Sequence, residues 1–303
     1  MKKFAVGLDG GGTKTAVKIV DEKGHVVHTF TSGAINYNGQ DEASVAASLE
    51  EIFRTIADVC GGLSHCAQVC IGAAGVSNPT VITRLEASVR ACGYEGGLFI
   101  TGDQQTALSG AHQSEIGMIL IAGTGSICYG QNELGETHRT GGFGYLIDDE
   151  GSGYSIGRDL LSAVVRAHDG RLPETVIANK VYEQLGMTSI QEIIRFVYDK
   201  QTNKQDIAAL APILTEACEL GDGAAWKIVE KSAHSLFELV VPLVEKLSMH
   251  EGSLAMAGSV LLKNSFVQSA FMDLLKAHYP AMTCITPKSD AASGAALMAL
   301  NRI

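Results

Sequence analysis

Asp9-Gly10-Gly11-Gly12-Thr13-Lys14-Thr15 stands between two short apolar runs, Phe4-Ala5-Val6-Gly7-Leu8 and Ala16-Val17-Lys18-Ile19-Val20. Both runs have the length and composition of strands. The glycines between them therefore read as a tight turn. Lacking Cβ atoms, they accept positive φ and let backbone N–H groups approach an anion closely. Asp9 is placed to hold a metal ion. The residues after the turn exclude two better-known phosphate loops, because a Walker loop and a dinucleotide fingerprint both open a helix. Here the chain continues through a second turn, Asp21-Glu22-Lys23-Gly24, into Val26-Val27-His28-Thr29-Phe30. Strand, loop, strand, turn, strand is an antiparallel meander.

The pattern recurs. Met118-Ile119-Leu120-Ile121-Ala122 reads as a strand, Gly123-Thr124-Gly125-Ser126 as a glycine turn, and Ile127-Cys128-Tyr129 as a strand again. Two such units imply an internal duplication, with two lobes presenting facing phosphate loops and a boundary near residues 113–117. At 303 residues, two domains are the natural expectation.

Between the two turns, apolar Val45, Leu49, Ile52, Phe53 and Ile56 predict a helix over 41–57. A buried strand is expected at 69–73, a helix from Asn78-Pro79 to about Ala91, and a strand at 98–101. That last strand delivers Gly102-Asp103 to its carboxyl end, where open α/β sheets place ligands. From spacing alone, Asp103 serves equally well as a helix N-cap or as a general base. The loop Ser32 to Gly39 carries Asn36 and Asn38, which suit either turn chemistry or a hydroxylated substrate.

After the second turn, Thr140 to Gly153 is too rich in glycine for a helix or regular strand. Its Asp148-Asp149-Glu150 run fits a rigid ligand loop or an acidic surface turn. Helical patterning continues at 154–166 and through most of 172–247, with helices at 208–220 and 224–247 separated by Gly221-Asp222-Gly223 and Pro242 expected to kink the second. A strand at 253–257 turns through Gly258-Ser259 into a helix at 266–278. A strand at 282–286 precedes a final helix from Asp290, whose small residues suit close packing.

Composition bounds the function. The net charge of −10 disfavours a sequence-independent grip on nucleic acid. No apolar run reaches the roughly 18 residues a membrane span needs. Met1-Lys2-Lys3 enters a strand directly, without the apolar core of a signal peptide. Cys60, Cys66, Cys70, Cys92, Cys128, Cys218 and Cys284 match no zinc spacing and read as reduced, mostly buried thiols of a cytoplasmic protein.

Taken together, these motifs resemble the BadF/BadG/BcrA/BcrD ATPase family of the actin-like superfamily, most closely its N-acetylglucosamine kinases. The resemblance runs along nearly the whole chain. It rests on Asp9 to Thr15, Gly123 to Ser126, Ala257-Gly258-Ser259-Val260, the hinge-like Ile71-Gly72-Ala73-Ala74-Gly75 and Ser293-Gly294-Ala295-Ala296, and above all Gly141-Gly142-Phe143-Gly144 through Asp149-Glu150-Gly151-Ser152-Gly153-Tyr154. It implies an α/β, two-lobed actin-like ATPase (ribonuclease H-like) fold, with duplicated β-meander/helix domains and an interlobe cleft. The N-terminal lobe would span 1–115 and the C-terminal lobe 116–303, with a helical insertion over about 155–250; the final helix, 290–303, would sit at the hinge or on the N-terminal lobe.

The implied cofactors are ATP and Mg²⁺. Gly10, Gly11, Gly12, Thr13 and Lys14, then Gly123, Thr124 and Gly125, then Asp222, Gly258 and Ser259 match nucleotide positions, and Asp9 matches the acidic residue that reaches the metal. Asp103 matches the catalytic aspartate, taking a proton from a sugar hydroxyl, the 6-hydroxyl by resemblance. Asn36, Asp103, Ser126, Ile127, Gly142, Phe143, Gly144 and Asp149 match sugar contacts. Phe143 stands where the compared enzymes have Trp, and Ile127 where a polar residue can meet the sugar, which leaves glucosamine, N-acetylglucosamine and N-acetylmuramic acid open. A homodimer is implied by resemblance alone, with no nucleic-acid or membrane partner. Two other readings compete. One is an ATPase activator of a 2-hydroxyacyl-CoA dehydratase, which needs cluster-ligating cysteines; Cys128 has no partner nearby in sequence. The other is a sugar sensor without turnover, against which stand Asp9 and Asp103.

Overall fold

A computed structural model describes residues 3–37, 40–76 and 78–303; Asn38, a candidate loop contact by sequence, lies outside the described residues, as do Met1, Lys2, Gly39 and Ser77. The chain forms two compact units, Met1–Gly117 with Pro287–Ile303, and Met118–Thr286.

The first unit is built on the meander. β1 (Phe4–Gly10), β2 (Lys14–Asp21) and β3 (Val26–Gly33) pair antiparallel in sequence order. Helix α1 (Glu42–Cys60) then leads to β4 (Cys66–Ala73), α2 (Pro79–Ala91) to β5 (Gly97–Gly102), and α3 (Asp103–His112) closes the series. Asp41 caps α1 and Asn78 caps α2, each accepting a backbone N–H of the first turn. β4 pairs parallel to β1, and β5 parallel to β4, giving the order β3-β2-β1-β4-β5. The α1 face expected from the sequence, Val45, Leu49, Ile52, Phe53 and Ile56, is fully buried against this sheet.

The C-terminal helix, Ala291–Leu300, packs on the other side of β1 and along α3. It comes so close that a Cβ on Gly7 would lie 2.1 Å from the backbone nitrogen of Ala296. Gly294 meets the carbonyl of Thr106 and Gly110 that of Asp290 in the same way, at 2.0 and 2.2 Å from a notional Cβ. Glycine and alanine on both sides are what let backbone rest on backbone here.

The second unit repeats the plan. β6 (Gly117–Ala122), β7 (Ser126–Gln131) and β8 (Thr137–Gly141) are followed by helices α4 (Gly153–His168), α5 (Val176–Leu185), α6 (Ile190–Tyr198), α7 (Lys204–Ala208), α8 (Pro212–Glu219) and α9 (Gly223–Leu247). Then come β9 (Gly252–Ala257), α10 (Ser259–Lys263), α11 (Ser265–His278) and β10 (Met282–Ile285). The sheet order, β8-β7-β6-β9-β10, matches that of the first unit strand for strand, with β9 parallel to both β6 and β10. This is the duplication that the two glycine turns announced.

Three elements differ from the sequence reading. β8 forms where a loop was expected to begin, because Thr137 to Gly141 pairs antiparallel with β7 despite its polar composition. The helix expected over 208–220 starts at Pro212; proline lacks the N–H that an interior position needs and suits the first turn. A separate short helix, α10, begins at Ser259, between the turn at Gly258 and the helix expected from 266. α9 runs unbroken through Pro242. Every cysteine carries a free thiol and five of the seven are buried.

Candidate functional site

In the first unit the parallel strands end in register. Gly10 of β1 pairs with Ala73 of β4, and Ala73 with Gly102 of β5. Asp9 and Asp103 therefore emerge at the same carboxyl edge, the ligand-bearing edge of such sheets. Gly102 is the N-cap of α3, its N–H bonded to the Gln105 side chain, so Asp103 is the first helical residue rather than the cap. One Asp103 oxygen accepts the N–H of Gln104 at 2.9 Å.

Asp9 is half-buried. Burial pushes its carboxyl up to about 6, helped by the negative charges of Asp103 and Asp290. Asp290 also caps the C-terminal helix and pairs with Lys18 at 3.2 Å. The edge thus holds more negative than positive charge, an environment that suits a divalent cation with oxygen ligands. Among the described residues no group of three or more His, Cys, Asp or Glu side chains is set to hold a metal by itself. A divalent ion held there by Asp9 would draw its remaining ligands from water or other oxygen groups.

The glycine turns work differently from the expectation. None of Gly10, Gly11, Gly12, Gly123 and Gly125 adopts positive φ. Their lack of a side chain serves space instead. A Cβ on Gly10 would strike Ile35, and one on Gly125 would lie 2.8 Å from the Asp149 carboxylate. Gly12 and Gly123 face open space, with nothing within 4 Å of a notional Cβ. Thr13 and Lys14 are exposed beside Gly12, and Asn36 is half-buried next to the fully buried Ile35.

In the second unit the structure draws several expected residues together. Ser126 donates its N–H to Asp149 at 3.3 Å and its hydroxyl to the Glu150 carbonyl at 2.8 Å. Ile127 lies against Gly142, where a Cβ would come within 2.9 Å of it. Gly153 and Tyr154, opening α4, donate to the carbonyls of Gly123 and Thr124. Asp149 is buried with φ +63, a left-handed conformation costly for a residue with a side chain. Burial pushes its carboxyl up, against the Ser126 bond that lowers it.

The neighbouring carboxylates have different tasks. Asp148 accepts the Phe143 N–H and closes the loop. Burial would raise Glu150, but bonds from Ser155 and Arg158 outweigh it and hold Glu150 below its usual range. Gly142 and Gly144 both sit at positive φ. The loop presents Phe143, Leu146 and Ile147 outward, 63%, 80% and 84% exposed, with the Arg139 guanidinium 4.5 Å over the Phe143 ring.

β6 and β9 also end together, with Ile121 paired to Ala257. Gly258 follows at φ +88, so close to Ala122 that a Cβ would lie 2.3 Å from its carbonyl oxygen. Ser259 lines a cavity of about 460 Å³, walled by Ile156, Ala208, Ala211, Pro212 and Val260. Its size and apolar walls suit a nucleobase. The Ala208–Pro212 wall escaped the sequence reading, since alanines at a helix break carry no signal of their own. Asp222 caps α9 through Ala224 and Ala225 and accepts from Thr175 and Val176 with its other oxygen. Those four donors outweigh its burial and hold it below its usual range. Cys128 is fully buried on β7, and burial pushes its thiol up.

A sequence model of the BadF/BadG/BcrA/BcrD ATPase family matches residues 6–299. The chain is 33% identical over 300 residues to an N-acetylmuramic acid/N-acetylglucosamine kinase of Clostridium acetobutylicum, covering 98% of each chain. It is 31% identical to an N-acetyl-D-glucosamine kinase of Dictyostelium discoideum, over 99% of this chain and 98% of that one. The solved structure of a candidate N-acetylglucosamine kinase from Chromobacterium violaceum shares the fold, with a TM-score of 0.77 at 24% identity over 98% and 99% of the two chains.

Proposed function

The chain belongs to the BadF/BadG/BcrA/BcrD ATPase family, and from that premise we propose that it is an ATP-dependent amino-sugar kinase. It moves the γ-phosphoryl group of ATP to a hydroxyl, the 6-hydroxyl, of N-acetylglucosamine or a close relative such as N-acetylmuramic acid. The observation that carries this reading is the shared edge of Asp9 and Asp103, on register-matched strands and within each other's field.

Phosphoryl transfer asks for position and charge more than for covalent help. The N–H groups around Gly12 and Gly123 would hold phosphate oxygens in the open space those glycines leave. Thr13 and Thr124 would add hydroxyl donors. Asp9 would hold Mg²⁺, whose charge offsets that building on the transferring group. A carboxylate oxygen of Asp103 would orient the sugar hydroxyl and accept its proton as the oxygen attacks phosphorus. Asn36, Asp149 and the Gly142–Gly144 loop would bind the sugar, with exposed Phe143 offering a ring face to its apolar side.

A coupled assay of ADP release over N-acetylglucosamine, N-acetylmuramic acid, glucosamine and glucose tests the reading. Stimulation by one or more of the amino sugars is expected. ADP release equal with and without every sugar would refute it.

A further inference from the structure

Asn264 lines the apolar cavity beside Ser259 and is only 6% exposed. Its Oδ1 accepts the Val267 N–H at 3.0 Å, capping α11. That bond fixes which end of the amide is the donor. Nδ2 has no hydrogen-bond partner, and among the described residues it is the one buried side-chain nitrogen or oxygen left so. Folded chains rarely leave a buried amide donor unmet, because it has lost water and gained nothing in return.

Most of the wall is apolar in its side chains, with Ile156, Ala208, Ala211, Pro212 and Val260; the hydroxyls of Ser259 and Thr215 also line the cavity, but neither bonds Nδ2. Such walls suit a flat heteroaromatic ring. The same cavity borders the second glycine turn, since Ala208 lies against Gly153, whose N–H bonds the Gly123 carbonyl at 2.7 Å. A nucleotide whose phosphates meet that turn would bring its base to this wall. We propose that Asn264 is the residue that reads the base: its Nδ2 donates to a ring nitrogen of adenine. This rests on the kinase reading and adds a specificity determinant to it.

Calorimetric titration of ADP tests the proposal. Asn264→Ser keeps a capping oxygen for α11 but removes the amide; Asn264→Asp keeps the shape and the cap but sets an acceptor against an acceptor. The serine variant is expected to bind ADP about 3- to 10-fold more weakly than the wild type, and the aspartate variant more weakly still. Of 1-, 3- and 7-deaza-ADP, one should bind the wild type weaker by that same factor, while the serine variant no longer distinguishes it from ADP. Should the serine variant melt early, the aspartate variant carries the comparison. A serine variant that binds ADP like the wild type, as a mere buried water on Nδ2 would give, overturns the inference alone. So does one that still ranks all three analogues as the wild type does. A wild type that binds no ADP overturns the kinase reading with it.

Discussion

Asp9 and Asp103 are both carboxylates at one sheet edge, yet they are asked to do different things. A general base contributes roughly 10²- to 10⁴-fold to rate. Asp103→Asn should lower kcat by about that factor while the sugar KM moves little, measured by steady-state kinetics; near-normal turnover would remove Asp103 from the chemistry. Asp9 gives a pH signature. Its carboxyl, ordinarily at 3.8, is pushed up to about 6 in the folded ligand-free chain. The folded state therefore holds a proton there that the unfolded state has released. The stability this contributes is fully present below 3.8 and is lost as pH rises through about 6. Asp9→Asn should flatten that part of the melting-temperature profile and raise the melting temperature at pH 7, while removing Mg²⁺-dependent turnover. A profile unchanged between pH 4 and 7 would contradict the assignment.

Among the elements, the two glycine turns and the glycine contacts of the C-terminal helix make opposite predictions. Gly123 faces open space and has no positive φ to defend. Gly123→Ala should fold within about 0.5 kcal/mol of the parent, yet raise the ATP KM by about tenfold or more by filling space meant for phosphate. Gly7 meets backbone atoms that cannot turn aside. Gly7→Ala should cost about 3 kcal/mol in denaturant unfolding, and an unchanged midpoint would show that the helix can shift away. The strands and helices that build these contacts were largely legible, because buried β-branched runs and α1's apolar stripe state their periods openly. β8 was not legible: Thr137, His138, Arg139 and Thr140 lie on a sheet edge, so pairing with β7 rather than burial makes them a strand. α10 is short, and five residues give no periodicity to read.

At the scale of the whole molecule, the duplication is the deepest thing the sequence disclosed. Two strand–glycine–strand openings became two five-stranded sheets with the same order. Motif residues such as Ser126, Ile127, Gly142 and Asp149 could be named from the chain because their resemblance is local in sequence. What could not be read is what arises only in three dimensions: the left-handed strain at Asp149, the four donors that converge on Asp222, and the cavity wall of alanines with its unmet amide. The central claim is that an amino-sugar hydroxyl, and not water, receives the phosphoryl group. Phosphorus NMR of a reaction containing ATP, Mg²⁺ and N-acetylglucosamine tests it most directly. The account predicts a sugar 6-phosphate monoester growing in step with ADP; a spectrum in which ADP is matched only by inorganic phosphate would contradict it.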